Sequence, residues 1–155
     1  MMNGTGFRWN KQRGQAVTEF ALVLPIILMV VIGITDLGRG IYYYNTLSNL
    51  AREGARFGMV LQSSDWDVDG NEPGEYTSIG TYAGTNTIVG RIAAQAVILD
   101  PSITKVTIST PSGTGSFLHL PVTVAVEYPF SPLFSQWIHS GPVTKISAES
   151  TMRIE

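Results

Sequence analysis

The sequence has no cysteine, which excludes a disulfide framework, a thiolate metal site and a cysteine nucleophile. It has two histidines, His119 and His139, and neither stands in an HxxxH, HExxH or His-plus-carboxylate spacing that would build a metal centre or a general base. A G-x-S-x-G elbow, a phosphate-cradling glycine loop and paired carboxylates in a recognisable fold context are also missing. Nothing in the residues asks for catalysis or a cofactor, and the chain reads as a non-enzyme. Acid is absent from the start of the chain: Arg8, Lys11 and Arg13 all precede Glu19, the first carboxylate. From Gln15 onward seven Lys or Arg stand against twelve Asp or Glu. Phosphate binding needs a basic face, so no nucleic-acid partner is expected.

The most prominent feature present is a long apolar run. From Ala16 to Ile34 only Thr18 and Glu19 are polar. As a helix rising ~1.5 Å per residue, this stretch covers close to the ~30 Å hydrocarbon thickness of a bilayer. Three positive charges on its amino side place the leader in the cytoplasm and the chain after Asp36 outside, by the positive-inside rule. Tyr42, Tyr43 and Tyr44 follow where amphipathic rings favour the membrane interface. A cleaved secretory signal would share the basic and apolar regions, but it ends in small residues. Here the run is followed by Thr35-Asp36-Leu37-Gly38-Arg39-Gly40-Ile41 and three tyrosines, which offers no such site. A buried core helix is the other alternative, and 155 residues are too few to wrap it on all sides.

The junction reads Arg13-Gly14-Gln15-Ala16-Val17-Thr18-Glu19-Phe20. It resembles the cleavage site of type IV prepilins, particularly the Flp/Tad branch, with Gly last in the leader, Glu fifth in the mature chain and Phe after it. The resemblance implies a cut between Gly14 and Gln15 by a membrane prepilin peptidase on the cytoplasmic side, with the apolar helix retained. Glycine suits such a site because a peptidase can approach its carbonyl closely in an extended conformation. Glu19 would cost on the order of 2.5–3.5 kcal/mol at a helix centre in lipid and less near an end, so it needs a partner. In the pilin family that partner is the new amino terminus, here of Gln15, and the pairing favours correct helix stacking; Phe20 belongs to the same assembly motif. Without the resemblance, Glu19 could equally snorkel to headgroups or pair with Arg13.

Two further runs, Ala51-Arg52-Glu53-Gly54-Ala55-Arg56 and Ser150-Thr151-Met152-Arg153-Ile154-Glu155, resemble the TadE family of pseudopilin-like proteins. The resemblance implies a minor pilin or pseudopilin in the bacterial inner membrane. Its partners would be the prepilin peptidase, other pilin-like subunits, the inner-membrane assembly platform and membrane lipid. The expected organisation is a cleaved leader at 1–14, a transmembrane helix at 15–41, a helical extension at 42–61 and a small head at 62–155. The rival reading is a membrane-tethered extracytoplasmic binding module.

Beyond the span, Leu47, Leu50, Ala51, Gly54, Ala55, Gly58 and Leu61 recur at helical spacing. The small residues Ala51, Gly54, Ala55 and Gly58 permit close approach, either of the protein's own sheet or of a neighbouring subunit's helix. Pro25, Gly33, Gly38 and Gly40 are candidate kinks or hinges between anchor and head. Ser63 to Gly84 reads as a long loop. Within it Asp65-x-Asp67-x-Asp69-Gly70 matches the first half of an EF-hand calcium loop, but position twelve is Tyr76 rather than a bidentate Glu. A solvated acidic turn competes with a calcium site there. Asn86 to Leu99 reads as a helix capped by Thr85 or Asn86, with Ile88, Ile92, Ala96 and Leu99 on one face. Alternation marks strands at Lys105 to Thr110, Val122 to Tyr128 and Lys145 to Glu155. Leu133, Phe134, Trp137 and Ile138 read as a lid over the sheet. The expected fold is α+β: a long amino-terminal helix followed by a small antiparallel head, pilin-like by resemblance.

Overall fold

A single helix, α1 (Lys11–Gly58), carries the apolar run through Pro25, Gly33, Gly38 and Gly40 without interruption. At ~1.5 Å per residue it is ~72 Å long. The computed structural model describes residues 11–61, 65, 68–110, 121–133, 135 and 144–153. Every side chain from residue 14 to 31 is exposed, and the head covers none of them. Burial starts further out, where Leu47, Leu50, Ala51 and Ala55 enter the core.

The head is an antiparallel sheet in the order β1 (Gly74–Thr77), β2 (Lys105–Ser109), β3 (Pro121–Phe130), β4 (Thr144–Arg153). Val106 and Ile108 of β2 and Val122, Val124 and Val126 of β3 face one side and are buried. The intervening residues are wetter, as a sheet with one covered face requires. On β4, Ala148 is buried and Ile146 and Met152 pack partly against the core. Cross-strand partners such as Val106 and Val126, or Val126 and Ala148, fix the register.

Both α1 and a short helix, α2 (Ile88–Gln95), cover the dry face. The Tyr43 ring meets Tyr128 at 5.4 Å and Phe130 at 5.7 Å. Eleven residues further along α1, a Cβ built on Gly54 would lie 3.2 Å from Val124 Cγ1. Moving outward along α1 therefore means moving backward along β3, so helix and strand lie lengthwise and antiparallel. This is the expected α+β plan, a long apolar helix followed by a small antiparallel sheet.

Three local expectations change. The stretch Ser63 to Gly84 is not all loop: it holds β1 and a 3-10 turn at Ile79–Tyr82. Four residues cannot show a period; β1 exists because it pairs with β2, with Tyr76 against the core and Ile79 fully buried. The second helix begins at Ile88 rather than Asn86 and is capped by Thr87. Thr85 lies two residues before the cap, in the preceding turn, where its hydroxyl donates back to the Tyr82 carbonyl at 2.7 Å. The helix ends at Gln95, although Ile88, Ile92, Ala96 and Leu99 are all buried as the pattern requires. Lastly, β3 extends past both expected ends, from Pro121 to Phe130.

Candidate functional site

At the junction, Gly14, Gln15, Glu19 and Phe20 lie on α1 and all are exposed. Side chains on a helix lean toward its amino end, so residue 19 reaches back over residue 15. Glu19 Oε1 accepts a hydrogen bond from the Gln15 side-chain amide at 3.1 Å. Thr18 folds inward, its hydroxyl donating to the Gln15 carbonyl at 2.7 Å and the Gly14 carbonyl at 3.2 Å. Gly14 is therefore helical, and a protease needing extended backbone would have to unwind this first turn. A Cβ added at Gly14 would meet no atom within 4 Å, so no packing inside the chain requires glycine there. The helix continues with an 18-residue window of mean hydropathy 2.6 that the head leaves entirely uncovered. Among the described residues, α1 is long and apolar enough to cross a membrane, as a single-pass anchor must be.

Residues 14–56 are TadE-like. They match the family model described as TadE-like protein. No curated protein and no solved structure matches the chain. The TadE-like segment begins at the candidate processing glycine, takes in the exposed apolar helix and ends with the run Ala51 to Arg56.

The last turns of the TadE-like segment carry the small-residue stripe, and its Ala51, Gly54, Ala55 and Gly58 are all buried within the protein itself. A Cβ on Gly54 would approach Ile92 Cδ1 to 2.8 Å as well as Val124. The stripe is thus occupied by the protein's own α2 and sheet. Where the TadE-like helix leaves its bare stretch, a polar clasp joins it to the head. Asp36 pairs with Arg39 at 3.1 Å, and Asp36 Oδ1 also accepts the Leu133 backbone N–H at 3.0 Å. The Arg39 guanidinium lies over the Phe130 ring, 5.3 Å from its centre. With Tyr43 against Tyr128 and Phe130, these contacts bracket Gly38 and Gly40, which hold no free stalk between the bare helix and the head. Sequence reasoning missed the clasp; the available signal was an acid and a base three residues apart at the end of the apolar run.

The acidic segment has a role in the fold. Gly70, with φ at +93°, turns the chain so that its carbonyl accepts Val89 N–H at 3.1 Å. Asn71 Oδ1 accepts Ile88 N–H at 2.7 Å, and Thr87 Oγ1 accepts Gly90 N–H at 3.0 Å. Three backbone donors at the start of α2 are satisfied in this way. Asn71 in turn donates to the Asp65 carbonyl at 2.9 Å. Both Asp69 oxygens receive the Tyr82 hydroxyl, at 3.0 and 3.1 Å. That hydrogen bond, with partial burial and the nearby charge, pushes the Tyr82 phenol above its ordinary range. Among the described residues no cluster of three metal-ligating side chains forms. Asp67, the other candidate calcium ligand, lies outside the described residues, as do Arg8 of the leader, His119, His139, and the lid candidates Phe134, Trp137 and Ile138. Leu133, described, is exposed.

Proposed function

We propose that this protein is a minor pilin or pseudopilin of a Tad/Flp-type pilus or related secretion apparatus. It is anchored in the bacterial inner membrane by the first part of α1, with the leader cytoplasmic and the head outside. A prepilin peptidase cuts between Gly14 and Gln15, leaving 15–41 as the membrane span, 42–61 as its extension and 62–155 as the head. The observation that carries this reading is the TadE-like match, which opens at the glycine of the candidate cut and covers the uncovered apolar helix. Catalysis is not part of the role; the protein acts by assembling with other pilin-like subunits and the membrane platform.

The geometry of the junction supports the assignment of Glu19. Its carboxylate already accepts from the Gln15 side-chain amide, so a cut that frees the main-chain nitrogen of Gln15 as an ammonium would put a cation on the residue faced by a carboxylate that lipid otherwise penalises. The tethered calcium-binding module is less well supported, because Asp69, Gly70 and Asn71 are engaged in holding Tyr82 and the start of α2.

Gly14→Leu tests the proposal. Open space around Gly14 means that the substitution leaves the fold alone. In the native host it should give an uncut precursor and no pilus. A product of unchanged size beside a leader-truncated standard, with Met1 still at its amino terminus in the parent, would remove the processing claim.

A further inference from the structure

We infer that the base of the head rests on the outer membrane–water interface, with an apolar groove between α1 and the β3–β4 end taking up lipid of the outer leaflet. The inference rests on α1 being the membrane span. If hydrocarbon ends near Ile34, α1 itself is a ruler, and Asp36 stands only ~3 Å beyond that boundary. Asp36 holds the Leu133 backbone, so the head begins at the membrane surface and not at the end of a stalk.

The surface found at this level is apolar. Leu37, Ile41 and Tyr44 form one stripe of α1 and face Phe130, Pro132 and Ile146 across an open groove. Leu37 is 65 % exposed and Ile41 54 %, and Leu133 beside them is 44 % exposed. This patch is continuous with the bare apolar surface of the span below it, so one solvent covers both. Exposed apolar surface of this extent needs a partner, and the adjoining lipid is already in place. The one acid lining the groove, Asp36, has a side chain only 11 % exposed and is neutralised by Arg39. Tyr42 and Tyr44 supply the amphipathic rings that favour this depth. Along α1 the Leu37 and Ile41 Cα atoms stand ~4 and ~10 Å past Ile34, and because helix side chains lean toward the amino end they reach back toward a headgroup layer about 5–8 Å thick.

Because the chain has no cysteine, single-cysteine labels can map depth without a background. The full chain is reconstituted in phosphatidylethanolamine–phosphatidylglycerol nanodiscs at one copy per disc. An environment-sensitive fluorophore is placed by Leu28→Cys, Ile41→Cys, Leu133→Cys or Val60→Cys, all exposed side chains. The expected result is loss of fluorescence at Leu28 with deep-chain doxyl lipid, loss at Ile41 and Leu133 with headgroup-proximal doxyl lipid, and no loss at Val60 with either. If Ile41 and Leu133 remain as bright as Val60 while Leu28 is quenched, the span stands and the seating is wrong. If Leu28 is also unquenched, the span itself fails. If Ile41 and Leu133 escape both lipid and aqueous quenchers once several copies share a disc, a second copy fills the groove and the lipid assignment is overturned.

Discussion

The Leu133 backbone N–H donates to the Asp36 carboxylate at 3.0 Å, joining residues 97 positions apart at the point where the bare helix meets the head. With Arg39 pinned on the Phe130 ring, this bond fixes the near end of the head to α1. Asp36→Ala removes the acceptor for Leu133 and the partner of Arg39. A hydrogen bond to a charged group is worth about 1.5–3 kcal/mol, so the Leu133 amide should exchange roughly tenfold faster or more, read by hydrogen exchange in micelles. An unchanged rate would mean that the clasp does not hold this segment.

Gly54 sits where α1 presses on α2 and the sheet. Gly54→Leu forces a whole side chain between Ile92 and Val124, and overpacking of this kind costs about 1–3 kcal/mol. Denaturant unfolding of the full chain in detergent should show the midpoint falling, while α-helical signal from the bare stretch persists.

Asn71 is 2 % exposed and bonds in two directions, to Ile88 N–H and to the Asp65 carbonyl. Asn71→Ala leaves a buried helix-start donor without its acceptor, a loss of about 1–3 kcal/mol. A drop in melting temperature that added calcium does not restore would show that this segment acts as a cap; rescue by calcium would favour the cation site instead.

Gly90 is demanded by rigid neighbours. A Cβ there would lie 2.5 Å from the Thr85 carbonyl oxygen and 2.8 Å from that of Tyr82, and would also strike the Thr85 hydroxyl. Gly90→Ala should displace the 82–87 turn and lower stability despite alanine's better helix propensity, as a loss of amide protection at Ile88 to Ile92 would report.

Asp100 accepts both the hydroxyl and the backbone N–H of Ser102, and these bonds hold its carboxyl below the ordinary carboxylate value. A depressed folded value contributes stability that is whole above the unfolded value and is lost as pH falls through the folded one. The turn should therefore persist at neutral pH and loosen only in acid below the usual carboxylate range. Ser102→Ala removes the hydroxyl and should move the Asp100 titration upward in a carboxyl-detected NMR series; no movement would show the hydroxyl bond to be unimportant.

Much of this architecture was legible because period and burial coincide. Val122, Val124 and Val126 alternate and are buried together, and Ile88, Ile92, Ala96 and Leu99 recur at helical spacing and share one core. The bare helix was legible from composition alone, since nineteen residues with two polar ones leave little choice. What stayed hidden depends on contacts remote in sequence. Gly74–Thr77 is a strand only because Lys105–Ser109 lies beside it. The start of α2 is held by Asn71, 17 residues away, as well as by its own cap Thr87. The DxDxDG pattern suggested a cation because its spacing is shared with calcium loops, whereas here its glycine and the asparagine after it serve a helix terminus. Gly14 and Gln15 were read as a candidate cut by resemblance alone; both are exposed, but they lie in the first turns of α1, which a peptidase needing extended backbone would have to unwind.

The lengthwise contact between α1 and β3 sets how the subunit would bear load. Tension between the amino end and the head runs along the helix axis and parallel to the strands. The interface from Tyr43 to Gly54 would then be stressed in shear, with many side chains sharing the force, and not peeled open one contact at a time. Such a joint withstands tension along its own axis far better than across it.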